Sequence, residues 1–128
     1  MISIDTNILV RLLTGDDKEQ AIRAKRLFLD ERIYVTKTVI LETEWVLRYA
    51  YAFSAEAIAS SFVKLLGQQN VTIEDALHVA QAINLLQKEL DFADALHLVC
   101  SQDHPFATFD KKSKTKAIDA GIETVRLL

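Results

Sequence analysis

The chain has 128 residues, of which 50% are hydrophobic and 26% charged, with only three glycines and one proline. That profile is one of a single globular domain over residues 1–128, built from long regular elements with short connections and large enough to bury a core without staples. A net charge of −3 argues against a nonspecific nucleic-acid coat protein, and the lone cysteine, Cys100, excludes a disulfide framework and a cysteine-rich zinc site.

The opening "MISIDTNILV" has no basic start and no small-residue cleavage site, so a secretory signal is not expected. No apolar run approaches the roughly 20 residues that span a membrane, and a cytoplasmic location is expected. "ISI" is a short strand ending at Asp5, and a helix opens at "TNILVRLL" and stops at Gly15. "DDKEQAIRAKRLFLDE" is an amphipathic helix: Asp16 is placed to cap it, Glu19 sits three residues on, and Ala21, Ala24, Leu27 and Phe28 are spaced for one face. "IYVT" is a β-branched strand. "TVILETEWVLRYAYAF" is a long helical run in which Trp45, Tyr49 and Phe53 recur every four residues, a stripe for core or subunit packing. "SAEAIASSFVKLLGQQ" follows with Ser54 as its N-cap. "VTI" is a brief strand, and Thr72 begins the helix "EDALHVAQAINLLQKEL". "FADALHLVCSQ" is a further helix, "FATF" a strand, "KSKTKAIDAG" a helix closed by Gly121, and "IETVRLL" the last strand. Short strands alternating with helices predict an α/β domain with a mostly parallel sheet. In such sheets ligands gather at the carboxyl ends of the strands, where Asp5 and Asp110 both stand.

Four acids interrupt apolar patterns: Asp5 after "ISI", Glu42 within "VILETEW", Asp94 within "FADALHL" and Asp110 after "FATF". An unpaired buried carboxylate costs several kcal/mol or is pushed to its neutral form, and clustered carboxylates repel one another. A divalent cation removes both penalties, and an all-oxygen site suits Mg²⁺ or Mn²⁺ rather than zinc. Each acid also has a local explanation. Asp5 and Asp110 are placed to cap the helices that follow, Asp94 is the third residue of a helix capped by Asp91, and Glu42 is free to face solvent. Composition and spacing leave the two explanations open. Charge is unevenly spread: residues 49–110 hold eight acids and two bases, whereas residues 111–128 hold five bases and two acids. Lys111, Lys112, Lys114 and Lys116 therefore surround the tip that carries Asp110, where they either hold a polyanion or form a solvated helix face. His78, His97 and His104 have no ligand spacing, and His78 and His97 are read as helix-packing residues.

The segments "MISIDTNILVRLLTGDD", "VTKTVILETEWVL", "LDFADALHLV" and "FATFDKKSKTKA", in that order and followed by the "GIETV" strand, resemble a PIN-domain ribonuclease, specifically the VapC-type toxins of bacterial toxin–antitoxin pairs. The resemblance covers essentially the whole chain. It implies a three-layer α/β/α fold with a parallel five-stranded sheet and a Mg²⁺-dependent endoribonuclease, with Mn²⁺ as a substitute ion. Asp5, Glu42, Asp94 and Asp110 correspond to its acidic quartet, and Thr6, Asn7 and Thr108 to positions that orient carboxylates or water. Asp5 and Asp94 are expected to ligate the main ion, with Asp110 and Glu42 completing the site through water or a second ion. Arg11, Lys111 and Lys112 are candidates for contact with RNA. The products implied bear a 5′-phosphate and a 3′-hydroxyl. The partners implied are an RNA substrate, a cognate antitoxin protein and a second copy of the chain.

Three rivals stand beside this reading. A phosphatase of the haloacid dehalogenase kind needs a second acid two residues after the first, where this chain has Asn7. A receiver-like phosphoacceptor domain needs regular strand–helix alternation and a lysine at a late strand end, neither of which is evident. A PIN fold that only binds RNA would lack metal-dependent turnover.

Overall fold

In the computed structural model, which describes residues 1–128, strand β1 (Ile2–Ser3) passes into helix α1 (Thr6–Thr14) through Asp5. The Asp5 backbone is extended and its Oδ1 accepts the Ile8 N–H at 3.1 Å, so the residue ends the strand and caps the helix at once. Gly15 closes α1 in the left-handed conformation, at φ 71°, where a residue without Cβ is unstrained. Helix α2 (Lys18–Asp30) is capped by Asp17, not Asp16. The reason lies in a remote contact: the Asp16 carboxylate accepts the Tyr51 hydroxyl at 2.7 Å, and the cap falls to the next residue. Of the apolar face expected on α2, only Ala24 is fully buried.

Strand β2 (Ile33–Val35) leads to helix α3 (Lys37–Tyr49), capped by Thr36, and helix α4 (Ala55–Leu66) is capped by Ser54, whose Oγ accepts the Ala57 N–H at 3.0 Å. Strand β3 (Val71–Ile73) completes a parallel sheet of order β1-β2-β3, with Ile33 opposite Ile2 on one side and Val71 on the other. These elements lie within one compact unit, Met1–Ala76. Its core takes β-branched side chains from the central strand, Ile33 and Val35, and covers them with Leu9, Ile40, Leu47, Ile58 and Phe62 from the helices, all fully buried.

The second unit, Leu77–Leu128, carries nearly all of helix α5 (Ala76–Gln87), then helix α6 (Phe92–Val99), strand β4 (Phe106–Thr108), helix α7 (Lys111–Asp119) and strand β5 (Val125–Leu127). Strands β4 and β5 are parallel neighbours joined through α7, the crossover a parallel pair requires. Val79, Ala82, Ile83, Phe92, Ala95, Val99 and Ala117 are buried in this unit.

All five strands pair in parallel, but as a three-stranded and a two-stranded sheet, which corrects the expected single five-stranded sheet. No strand exceeds three residues, so each ladder ends almost as soon as it forms and the chain leaves for a helix. Thr72 also departs from expectation. It pairs with Tyr34 inside β3, and α5 starts only at Ala76, after Asp75 has turned the chain at φ 54°. The Glu74 N–H bonds the Val35 carbonyl and its carboxylate accepts the Lys37 N–H, which ties this turn back to the sheet. Trp45 and Tyr49 are not core residues: they are 60% and 64% exposed, with ring centroids 5.3 Å apart on the outer face of α3.

On the same helix, two residues before Trp45, Thr43 is fully buried and its hydroxyl has no hydrogen-bond partner. An unsatisfied buried hydroxyl costs about 1–3 kcal/mol. Thr43→Val keeps the shape and removes the polar atom, so urea denaturation is expected to show a gain of about 1 kcal/mol.

Candidate functional site

In the first unit, two of the sequence-selected acids meet at the start of α1. Asp5 caps that helix, and the next residue, Thr6, is 8% exposed and donates its hydroxyl to Glu42 Oε1 on α3. A hydrogen bond spanning 36 residues thus fixes the Glu42 carboxylate to the helical turn that Asp5 opens. Glu42 is exposed, and the buried acid of α3 is Glu44, which is 4% exposed and paired with Arg48 at 2.6 Å. Sequence reasoning missed Glu44, although the arginine one helical turn later was a readable sign.

The second unit gathers three acids. Asp91 caps α6, its Oδ1 accepting the Asp94 N–H at 3.2 Å, so the capping role for Asp91 holds. Asp110 caps α7: Oδ1 accepts the Lys112 N–H at 2.9 Å and Oδ2 accepts the Ser113 hydroxyl at 2.9 Å. The Asp110 N–H in turn donates to Thr108 Oγ1 at 3.1 Å, a contact to the backbone of Asp110 and not to its carboxylate. Ser113, buried and three residues after the cap, went unnoticed in the sequence. Its hydroxyl and the Lys112 amide hold the Asp110 carboxyl below the usual carboxylate range. Asp94 is shifted the other way. Partial burial raises its pKa first, and the charges of Asp91 and Asp110 raise it further, while His97 opposes them. Asp91, Asp94 and Asp110 therefore share one electrostatic neighbourhood. His97 is exposed and acts on Asp94 from the next turn of α6, so it is not the packing residue expected; His78 is half-buried.

All four acids of the quartet are exposed, and partial burial raises the pKa of Asp94 alone, so desolvation is not the general reason for a cation. What remains is repulsion among Asp91, Asp94 and Asp110 and the fixed orientation of Asp5, Glu42 and Asp110. The donor set is carboxylate and hydroxyl oxygen, the chemistry of a hard divalent ion. Capping does not exhaust it, since each carboxylate oxygen accepts two hydrogen bonds and Asp5 uses one position of four.

The raised pKa of Asp94 gives a signed prediction. The folded protein holds this proton more tightly than the unfolded chain, so the ionised carboxylate lowers native stability. That penalty is absent below the unfolded value of 3.8 and grows as pH rises through the higher folded value. Metal-free Asp94→Asn is therefore expected to melt above the wild type at neutral pH, with the difference closing below the unfolded value.

The remaining candidates are distributed between the units. Asn7 and Arg11 face an open cleft beside α1 together with Asp5. Arg11 is held by Gln20, Tyr51 and Asp16, a set with no sequence signal because Tyr51 lies 40 residues away. Lys111 and Lys112 are exposed at the start of α7, next to Asp110.

A protein-family model described as PIN domain matches residues 2–119. No curated protein and no solved structure matches the chain.

Proposed function

The chain belongs to the PIN domain family, and on that premise we propose that it is a Mg²⁺-dependent endoribonuclease whose site is made by Asp5, Glu42, Asp94 and Asp110. PIN domains are generally metal-dependent nucleases. The observation that carries the reading is the family match over almost the whole chain, and three of the four carboxylates, those of Asp5, Glu42 and Asp110, are each held by a hydrogen-bonding neighbour. When bound, Mg²⁺, or Mn²⁺ in its place, activates water and offsets the charge that develops on the phosphate.

The chain's own residues hold and orient. The Thr6 hydroxyl sets Glu42 against the first turn of α1. Ser113 and the Lys112 amide keep Asp110 ionised and pointed, and Thr108 fixes its backbone. The higher proton affinity of Asp94 marks it as the carboxylate with most to gain from a cation. In this reading Asn7 orients water, and Arg11, Lys111 and Lys112 bind phosphates flanking the scissile bond.

At the finer level we read the protein as a cytoplasmic toxin of a toxin–antitoxin pair, inhibited by a cognate antitoxin and acting as a homodimer. The order of its four acidic segments supports that reading. The test is cleavage of total RNA by purified protein. Mg²⁺ is expected to give fragments with 5′-phosphate and 3′-hydroxyl ends, and EDTA to stop the reaction. Undiminished cleavage in EDTA would overturn the proposal.

A further inference from the structure

We propose that the cleft between α1 and α2 seats one phosphate-bearing nucleotide of a single-stranded RNA, with Arg11 and Arg23 gripping its phosphate. This rests on the nuclease reading above and adds where the strand leaves the site. The cleft has a volume of about 450 Å³ and opens to solvent. That lies within the roughly 300–1,000 Å³ typical of small-ligand sites. Arg11 and Arg23 line it with a single acid, Asp5, and Ile8, Ala24 and Leu27 supply an apolar wall for a ribose or base.

The two arginines are prepared differently. Arg23 is exposed and its side chain takes part in no ion pair or hydrogen bond. Arg11 has a side chain only 24% exposed and is locked from behind. Its Nε donates to Gln20 Oε1 at 2.9 Å and its Nη1 to the Tyr51 hydroxyl at 2.9 Å. The Tyr51 hydroxyl in turn donates a hydrogen bond to Asp16 Oδ2 at 2.7 Å, and Asp16 stands 3.7 Å from Nη1, beyond direct hydrogen bonding. The Tyr51 hydroxyl, with the Asp17 amide, holds the Asp16 carboxyl below the usual range, so the lock is charged throughout neutral pH. Nη2 makes no hydrogen bond within the protein and is left for a ligand.

Ordering a free arginine on a ligand loses side-chain entropy, and a guanidinium already fixed loses less. A planar fork with one free edge matches a phosphate. Asp5 is both a lining residue of this cleft and a member of the proposed metal site, so a nucleotide held here is contiguous with the one being cut. Tyr51 is then a positioning residue for Arg11.

The experiment is fluorescence anisotropy of a fluorescein-labelled oligouridylate in EDTA, which reads binding without cleavage. Arg11→Ala and Arg23→Ala are each expected to weaken binding about tenfold and to lower the salt slope of log K by about 1. Arg32→Ala removes an exposed charge outside the cleft and is expected to change neither. Tyr51→Phe is expected to weaken affinity while keeping the wild-type salt slope, because the Arg11 charge remains but is less well aimed. Arg23 has no partner to lose, so Arg23→Ala reads the cleft without a folding effect. Wild-type cleavage with both arginine variants binding like Arg32→Ala would overturn the cleft and leave the nuclease standing. Wild type that neither cleaves nor binds RNA would overturn both. Arginine-dependent binding of a polyglutamate peptide in place of the RNA would reassign the cleft to a protein partner and overturn the inference.

Discussion

Asp5→Asn and Asp110→Asn are expected to cut Mg²⁺-dependent RNA cleavage by about a thousandfold while melting close to the wild type. The two carboxylates each do two jobs, and asparagine separates them. As caps they accept backbone N–H groups, Asp5 from Ile8 and Asp110 from Lys112. Asparagine caps a helix about as well as aspartate, because its amide oxygen accepts the same bond. At Asp110 the second oxygen also accepts from Ser113; in the variant that hydroxyl can turn and accept from the amide nitrogen instead. What asparagine cannot supply is the negative charge that holds a divalent cation. Loss of several kcal/mol of transition-state stabilisation corresponds to roughly a thousandfold in rate. Alanine would confuse the outcome, since losing the cap alone costs about 0.5–2 kcal/mol. The measurement pairs a cleavage assay with thermal melts taken with and without Mg²⁺. Wild type should be stabilised by the ion and the asparagine variants should not. Asparagine variants that cleave like wild type would reduce these acids to helix caps.

That double role explains what the sequence could and could not disclose. Gly15 and Ser54 act within a few residues of themselves, and local chemistry alone identified the helix ends they set; the cap at Asp110 is as local, but stood open beside a ligand role. The same chemistry failed at Asp16, because the group that claims its carboxylate, Tyr51, is 35 residues distant. Strand partners are equally non-local. Five short apolar segments were recognisable, but nothing within "FATF" or "ISI" states which strand lies beside it, and the division into two sheets was not legible. The acids were found because they break apolar runs, which left burial and local capping both open, and all four stand exposed. Asp5, Asp94 and Asp110 break the runs because strand ends and helix starts are where the chain surfaces, and Glu42 does so from the exposed side of α3. Glu42 and Glu44 show how narrow the margin is: two residues apart on one helix, the first is exposed and held by Thr6, the second buried against Arg48.

Phe92→Ala should destabilise the protein by about 3–5 kcal/mol, a large part of the roughly 5–15 kcal/mol that holds a domain folded. Phe92 is fully buried and begins α6, two residues before Asp94. The helix has eight residues, too few to persist by hydrogen bonding alone. It stands because Phe92, Ala95, Leu96, Leu98 and Val99 are buried, and Phe92 is the largest of them. Truncation leaves a cavity in the first turn, where Asp91 caps the Asp94 amide. A drop in melting temperature of about 10 °C or more is expected. The comparison variant is Phe109→Ala. Phe109 also adjoins a quartet acid, but it is 84% exposed, and its loss should change stability by no more than about 0.5 kcal/mol. If Mg²⁺ binds the folded state alone, an ion concentration about 100 times its dissociation constant restores roughly 2.7 kcal/mol. Phe92→Ala should then regain much of its lost stability on adding Mg²⁺, whereas Phe92→Ala combined with Asp94→Asn should regain little. Equal recovery in both would mean that the ion binds elsewhere than at α6.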